Sequence, residues 1–578
     1  GWLLLCLLPA ILRAQSGEEG RPRSTSCQQS PTKVSCRGAG LRTFPRELGQ
    51  GVKYLDLSNN LIQNLSGSFT PGFGQLEHLD LCFNQLEAVS APALAQLPQL
   101  RSLLLGSNRL DHNYLSNGAA FHLLSNIELL DLSANSLESP MAGWYLSNLT
   151  RLRTLDLSRN KLTKLLVGIF QSSPRLRELD LSNNYIMEIE EGVFEALGEL
   201  EVVNLALNSL HCISGFSLRQ LRVLNLSHNA LELFMVEGGA EPYLLRVLDL
   251  SHNRLLSFPE LPRAHYLTHL NLSNNLIASL LPGSGGQGDF VLLYEEMGRF
   301  NRTWAPTAGL VRVADLDLSS NQLELFPVPF FHGLGSLHSL SLAKNCLQGV
   351  AGELVSGGME PTNHSPVLPL RWLDLHDNAL HVLPPWFFQS LPWLETIDLG
   401  SNSLQPCESR GSHWGGGSGE GSDVLAPGGN CTPFYNVPHL KHLNLCKNNI
   451  PRLQPFAFNQ TSLLSLDLSG NRDLFLPKEA LGGLELSLQK LSLRDNQMDS
   501  SEAALPCLST LQVLDLSGNN LSLLPTGLLC SPLESLDISN NHLQRVEQPA
   551  LRSWAHSLKD ISIAGNPFSC CSLAWLDT

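Results

Sequence analysis

Val52–Ile62 reads VKYLDLSNNLI, and the same frame returns as LRTLDLSRNKL from Leu152, LRVLNLSHNAL from Leu221, LRWLDLHDNAL from Leu370 and LESLDISNNHL from Leu533. The shared pattern is LxxLxLxxNxL, and it occurs twenty times between Asn60 and Asn566, mostly 21 to 27 residues apart. A period of this length marks a stacked repeat and replaces the three or four domains that 578 residues would otherwise suggest. Each LxL makes a short strand, because alternate side chains fall on opposite faces. Its leucines point inward and stack on those of the next coil. The asparagine amide is placed to bond backbone groups that would otherwise be buried and unpaired.

The expected fold is therefore an α/β-type leucine-rich repeat solenoid, a horseshoe of about twenty repeats with a parallel concave sheet. Phe121, Phe170, Phe194, Phe331 and Phe388 recur downstream of the strands and predict an apolar spine on the convex wall. Two intervals, Asn275 to Asn321 and Asn402 to Asn448, are 46 residues long, and Asn345 to Asn378 is 33. The long ones hold LPGSGGQGDF and GSHWGGGSGEGSDVLAPGG, runs too rich in Gly and Ser to pack a core. On these grounds we divide the chain into a signal peptide (1–16), an N-terminal cap (26–50), a first repeat segment (51–275), an irregular loop (276–310) and a second segment (311–402). A Gly/Ser-rich loop (403–438), a third segment (439–566) and the start of a truncated C-terminal cap (567–578) follow.

Composition narrows the function classes. Apolar residues are 43% and charged residues 16%, so a large core is available. A net charge of -15 argues against nucleic acid, whose phosphates are bound by Lys and Arg. The opening GWLLLCLLPAILRAQSG has the length of a secretory signal and is too short to span a bilayer. It carries no initiator Met, so we read the chain as a fragment at this end. Nine Asn-x-Ser/Thr sequons fit secretion: Asn64, Asn148, Asn225, Asn271, Asn301, Asn363, Asn430, Asn459 and Asn520.

Of thirteen cysteines, Cys6 leaves with the signal. Cys27 and Cys36, in SCQQSPTKVSC, are read as a disulfide of the N-terminal cap, and Cys407 and Cys431 as a clip on the Gly-rich loop. Cys570 and Cys571 open a C-terminal cap. Cys82 and Cys446 each follow an LxL in distant repeats, while Cys507 and Cys530 sit in adjacent coils and can pair. Cys212 and Cys346 remain. They belong to repeats five coil steps apart, roughly 24 Å at the spacing of neighbouring strands. A disulfide needs Cα atoms within about 7 Å. Each is thus either a buried free thiol or a bond to another chain.

The strings CISGFSLRQLRVLNLSHNALELF, YLTHLNLSNNLI, SLSLAKNCL, EALGGLELSLQKLSLRDNQ and AGNPFSCC resemble the GARP (glycoprotein A repetitions predominant) family, cell-surface anchors of latent transforming growth factor beta (TGF-beta). The likeness runs from about Ser26 to Leu576. The off-motif cysteines, the Cys407–Cys431 loop and the GGLE-SL string carry it. The later segments lean toward the GARP branch. NYIMEIEEGVFEALGEL and ELFMVEGGAE lean toward its relative, the negative regulator of reactive oxygen species, which serves the same ligand. The resemblance implies that Cys212 and Cys346 form disulfides to the two propeptides of a TGF-beta proform dimer. It further implies integrins acting indirectly through that ligand, a single membrane-spanning helix after residue 578, and type I cell-surface topology. In the fourth repeat the family reads SLYSG where this chain has Ser136-Leu137-Glu138-Ser139-Pro140, so ligand contacts there do not transfer.

No catalytic pattern, metal or cofactor is expected. GGGSGEG lacks the Lys-Ser/Thr of a phosphate loop, and Cys431, His439, His442 and Cys446 form C-x7-H-x2-H-x3-C, which is not a zinc spacing. The recurrent aspartates of LDL, among them Asp56, Asp80, Asp131, Asp156, Asp180 and Asp249, read as a solvated face. A rival of another class is a Toll-like innate immune receptor, which needs a signalling domain after residue 578. A matrix proteoglycan of the small leucine-rich type would carry a four-cysteine N-terminal cluster, and only Cys27 and Cys36 are present.

Overall fold

Every repeat asparagine lies in the turn that follows a short strand, and the structure is built by iterating that unit. A computed structural model of the chain describes residues 27–45, 51–66, 71–213, 219–236, 242–259, 261, 264–280, 309–331, 333–351, 367–409 and 431–568. The signal segment, Cys6, Cys570, Cys571, the sequons at Asn301, Asn363 and Asn430, and both Gly-rich runs lie outside them. The chain forms two compact units, Gly1–Ser209 and Leu210–Thr578, and each is a parallel-sheet solenoid.

In the first unit a hairpin of Gln28–Gln29 and Lys33–Ser35 starts the stack, closed by the Cys27–Cys36 disulfide. Lys33–Ser35 then pairs in parallel with Tyr54–Asp56, the first of seven repeat strands that end at Val202–Asn204. In the second unit thirteen repeat strands run from Val223–Asn225 to Asp560–Ser562, all parallel. The sheet keeps its register across both long intervals: Asn271 pairs with Asp317, and Asp398 with Asn444. Cys407–Cys431 and Cys507–Cys530 are further disulfides of this unit.

Within a coil, residues 55 and 57 of YLDL are fully buried, and the equivalent leucines of the other repeats are at most a few per cent exposed. The chain leaves each strand through a residue in the left-handed region, such as Asn59 (φ 57°), His228 (φ 54°) or Lys344 (φ 54°). Gly470 takes that place in one repeat, at φ 67°, where an L side chain would be strained. The asparagine that follows ties coils together. Asn253 Nδ2 donates to the carbonyls of Leu226 (2.9 Å) and Leu250 (3.0 Å), and its Oδ1 accepts from Leu231 N–H (3.0 Å). Phe121, Phe170, Phe194, Phe331 and Phe388 are all buried. In the second unit aromatic rings touch in an unbroken chain from Phe258 through Phe330, Phe331, Phe326, Phe387, Phe388 and Phe434 to Phe458.

Two of the LDL aspartates depart from the sequence reading. Asp131 and Asp156 are buried, at 7% and 6% exposed, while Asp56, Asp80, Asp180 and Asp249 are half-buried; Asp156 accepts a bond from Ser158 N–H at 2.8 Å. Narrow spacing between coils leaves little room for water. Burial, then the charges of Asp131 and Asp180, push the Asp156 carboxyl up to about 7. A carboxyl whose pKa is higher in the folded than in the unfolded chain binds more protons when folded. Its contribution is present at mildly acidic pH and is lost as pH rises from about 4 through about 7. Unit 1 is therefore expected to melt higher at pH 5 than at pH 8, with a difference of the order of a few kcal/mol. Asp156→Asn should flatten this dependence while keeping the turn, because Asn225 makes the same bond to Ser227 N–H. Thermal midpoints of the two chains between pH 5 and 8 measure it, and an unchanged slope in the variant would refute the assignment.

Candidate functional site

Four cysteines outside disulfides are described: Cys82, Cys212, Cys346 and Cys446. Local structure separates them into two kinds. Cys212 begins the two-residue strand Cys212–Ile213, which pairs in parallel with Leu233–Phe234. Ile213 and Phe234 face the core, so alternation turns Cys212 and its partner Leu233 outward. Cys346 stands between buried Asn345 and buried Leu347. Its backbone N–H donates to Leu323 (2.9 Å), which anchors the main chain and leaves the side chain exposed.

Both thiols thus lie just beyond a repeat asparagine, on the part of the coil that follows the strand. Four parallel pairings separate Val223–Asn225, the repeat strand of the coil beside Cys212, from Ser339–Ser341, the repeat strand of the Cys346 coil. With the further step from Cys212–Ile213 to Leu233–Phe234, the two thiols lie five coils apart, about 24 Å at about 4.8 Å per step and far beyond disulfide reach. The coils between them also expose Leu233, Met235, Leu256, Leu276 and Leu325. Leu233 and Leu325 occupy the place in their coils that Cys212 has in its own, and Leu276 the place of Cys346.

The other two thiols are suppressed. Burial, then the Asp80 and Asp131 carboxylates, push Cys82 far above its ordinary range, and its Sγ lies 3.6 Å from Asp131 Oδ2. Burial and Asp467 raise Cys446. The thiolate is the reactive form, so neither is suited to bonding a partner. The C-x7-H-x2-H-x3-C string, set aside on its spacing, also lacks a free first cysteine, because Cys431 is bonded to Cys407.

Three sequons, Asn64, Asn148 and Asn520, are exposed, and Asn459 is half-buried. Asn225 and Asn271 are half-buried on repeat strands, each accepting from a serine N–H two residues on. Among the described residues no helix is long and apolar enough to cross a membrane.

The leucine rich repeat model matches residues 50–110, 125–186 and 174–231. The mouse (Mus musculus) transforming growth factor beta activator LRRC32 is 36% identical over 598 residues, covering 99% of this chain and 87% of its own. The zebrafish (Danio rerio) transforming growth factor beta activator LRRC33 is 31% identical over 99% and 85%. Mouse podocan matches at 28% over 94% and 80%. Among solved structures, a TLR13–ssRNA13 complex superposes with a TM-score of 0.55 at 21% identity, over 89% of this chain and 75% of that one. Likenesses at that identity concern the fold alone.

Proposed function

The chain belongs to the family of the leucine-rich repeat transforming growth factor beta activators, and from that premise we propose that it anchors the latent TGF-beta proform dimer at the cell surface. Cys212 and Cys346 each bond one propeptide, and the tethered complex is presented for integrin-dependent activation. The observation that carries this reading is the pair of exposed, unbonded thiols five coils, about 24 Å, apart in one sheet-backed unit. A dimeric ligand offers two equivalent cysteines, and two fixed thiols match that symmetry. In an oxidising compartment each pair of thiols gives up two protons and two electrons to the resident oxidants. The exposed leucines between the thiols supply apolar area for the first, non-covalent encounter.

The chemistry assigned to the protein is mechanical. An integrin pulling on a propeptide meets resistance only when the far side of the complex is held. Two covalent bonds to a membrane-anchored solenoid give that resistance. The test compares this chain fused to a membrane anchor with the same chain secreted, each co-expressed with the proform on integrin-bearing cells. Anchored chains should release active growth factor, and secreted chains should release little. Equal release from both would sink the tethering reading.

A further inference from the structure

We propose that His228 and His252 form an acid-sensitive latch between the two coils that follow Cys212. Each residue stands one place before the repeat asparagine of its coil, in the left-handed region at φ 54°. The strands that lead into these turns, Val223–Asn225 and Val247–Asp249, pair in parallel, which sets the turns side by side. The two imidazoles stack face to face, with centroids 3.9 Å apart and planes 10° from parallel. The turn itself does not demand the ring, because Asn274, Ser320 and Lys344 hold the same place in later coils at φ 55°, 53° and 54°.

The histidines are also tied through the main chain. His228 N–H donates to the carbonyl of Ser251 (2.9 Å), and His252 N–H to that of Ser273 (2.9 Å). Asn229 and Asn253 follow them directly, and Leu231 N–H donates to Asn253 Oδ1 at 3.0 Å. Rings that are forced apart therefore pull on the residues that join one coil to the next.

Two neutral imidazoles stack without a charge penalty, whereas two imidazolium ions at this separation repel each other. Partial burial, then the charge of His252, lower the pKa of His228 from its ordinary 6.5, while Asp249 opposes them. Between residues 223 and 231 and between 247 and 255, the other charged side chains are Asp249 and Arg254. Leu207 and Asn274 hold the place of the pair in the coils before and after and are uncharged. His269 of the later coil has its Nε2 2.9 Å from Asp315 Oδ2. A base whose pKa falls on folding binds fewer protons in the folded chain. Stability is then complete above the ordinary imidazole range, falls as pH drops through it, and levels off below the folded value. The sign is opposite to that of Asp156. The coils that loosen expose Met235, Leu256 and Leu233, the last of which is the strand partner of Cys212. Under the anchoring function proposed above, on which this consequence rests, the ligand is captured more slowly in acid than at neutral pH.

The test uses the chain alone, without ligand. Nuclear magnetic resonance of isotope-labelled histidine should show His228 and His252 titrating as a coupled pair, with one step below the ordinary imidazole range. His252→Asn should raise the titration of His228 and leave a single step, and asparagine keeps the turn, as Asn274 does. Hydrogen exchange in the turns at Asn229 and Asn253, corrected for its intrinsic pH dependence, should be at least about fivefold faster at pH 5.5 than at pH 7.5. In His228→Asn/His252→Asn that acid acceleration should vanish. Thermal midpoints at pH 7.5 check that the variants remain folded. Independent titration of the two rings, or acid acceleration that persists in the double variant, overturns the latch. Coupled titration without acceleration overturns it too, since the rings then part without moving the coils. With no ligand in the sample, failure here leaves the anchoring reading standing, and failure of that reading leaves the latch standing.

Discussion

Cys212→Ser/Cys346→Ser, co-expressed with the TGF-beta proform, gives no reduction-sensitive high-mass complex, whereas the wild-type chain does. Each single variant keeps one bond and hence a weaker band. The expected effect is complete because, among the described residues, the two remaining free thiols are unsuited to substitute. Cys82 and Cys446 are partly buried, and burial among carboxylates holds both thiols protonated. Serine in place of an exposed cysteine changes folding stability by no more than about 0.5 kcal/mol, so secretion of the variant is preserved. That separates loss of bonding from loss of fold. Non-reducing gels of the medium, with total secretion measured in parallel, give the answer. A band that survives in the double variant would move the bonds to other cysteines. No band from the wild-type chain would remove the covalent reading altogether.

Asn471→Leu produces the largest effect on stability expected of a single side chain. Leucine nearly fills the volume but makes no hydrogen bond. Asn471 is fully buried and makes four. Its Nδ2 donates to Leu445 (3.0 Å) and Leu468 (2.8 Å), and its Oδ1 accepts from the backbone N–H groups of Asn448 (2.8 Å) and Ile450 (3.2 Å). The substitution leaves backbone donors and acceptors of two coils unpaired, at about 1–3 kcal/mol for each group that water cannot reach. The total is about 3–6 kcal/mol, concentrated in these coils because a solenoid couples mainly to its neighbours. Hydrogen exchange at Asn448 and Ile450 should accelerate by about two orders of magnitude or more, while strands Val223–Asn225 and Val247–Asp249 change little. Acceleration of less than tenfold would mean that the ladder is not what holds the coils.

The sequence carried most of this architecture because each repeat states it again. LxL fixed the strand and the asparagine fixed the turn, whereas the residues alone left Cys212 and Cys346 open between a buried thiol and a bond to another chain. Two features escaped it. Spacing along the chain says nothing of what two adjacent coils do to each other, so Asp131 and Asp156 read as solvated when neighbouring coils bury them. The same limit allowed Cys431 to be weighed with His439, His442 and Cys446 as a ligand, when a disulfide already uses it.

Strand pairing passes without a slip from His269–Asn271 to Asp315–Asp317 and from Thr396–Asp398 to His442–Asn444, although twice the usual length of chain lies between. Doubling a loop costs only about 0.6 kcal/mol in closure entropy. The strands act as a ruler whose divisions do not depend on how much chain is paid out between marks. Such intervals are places where descendants of this gene, or an experimenter, can lengthen, shorten or exchange a segment. The distance between Cys212 and Cys346 would remain as it is, and with it the gauge of any two-fold ligand the chain accepts.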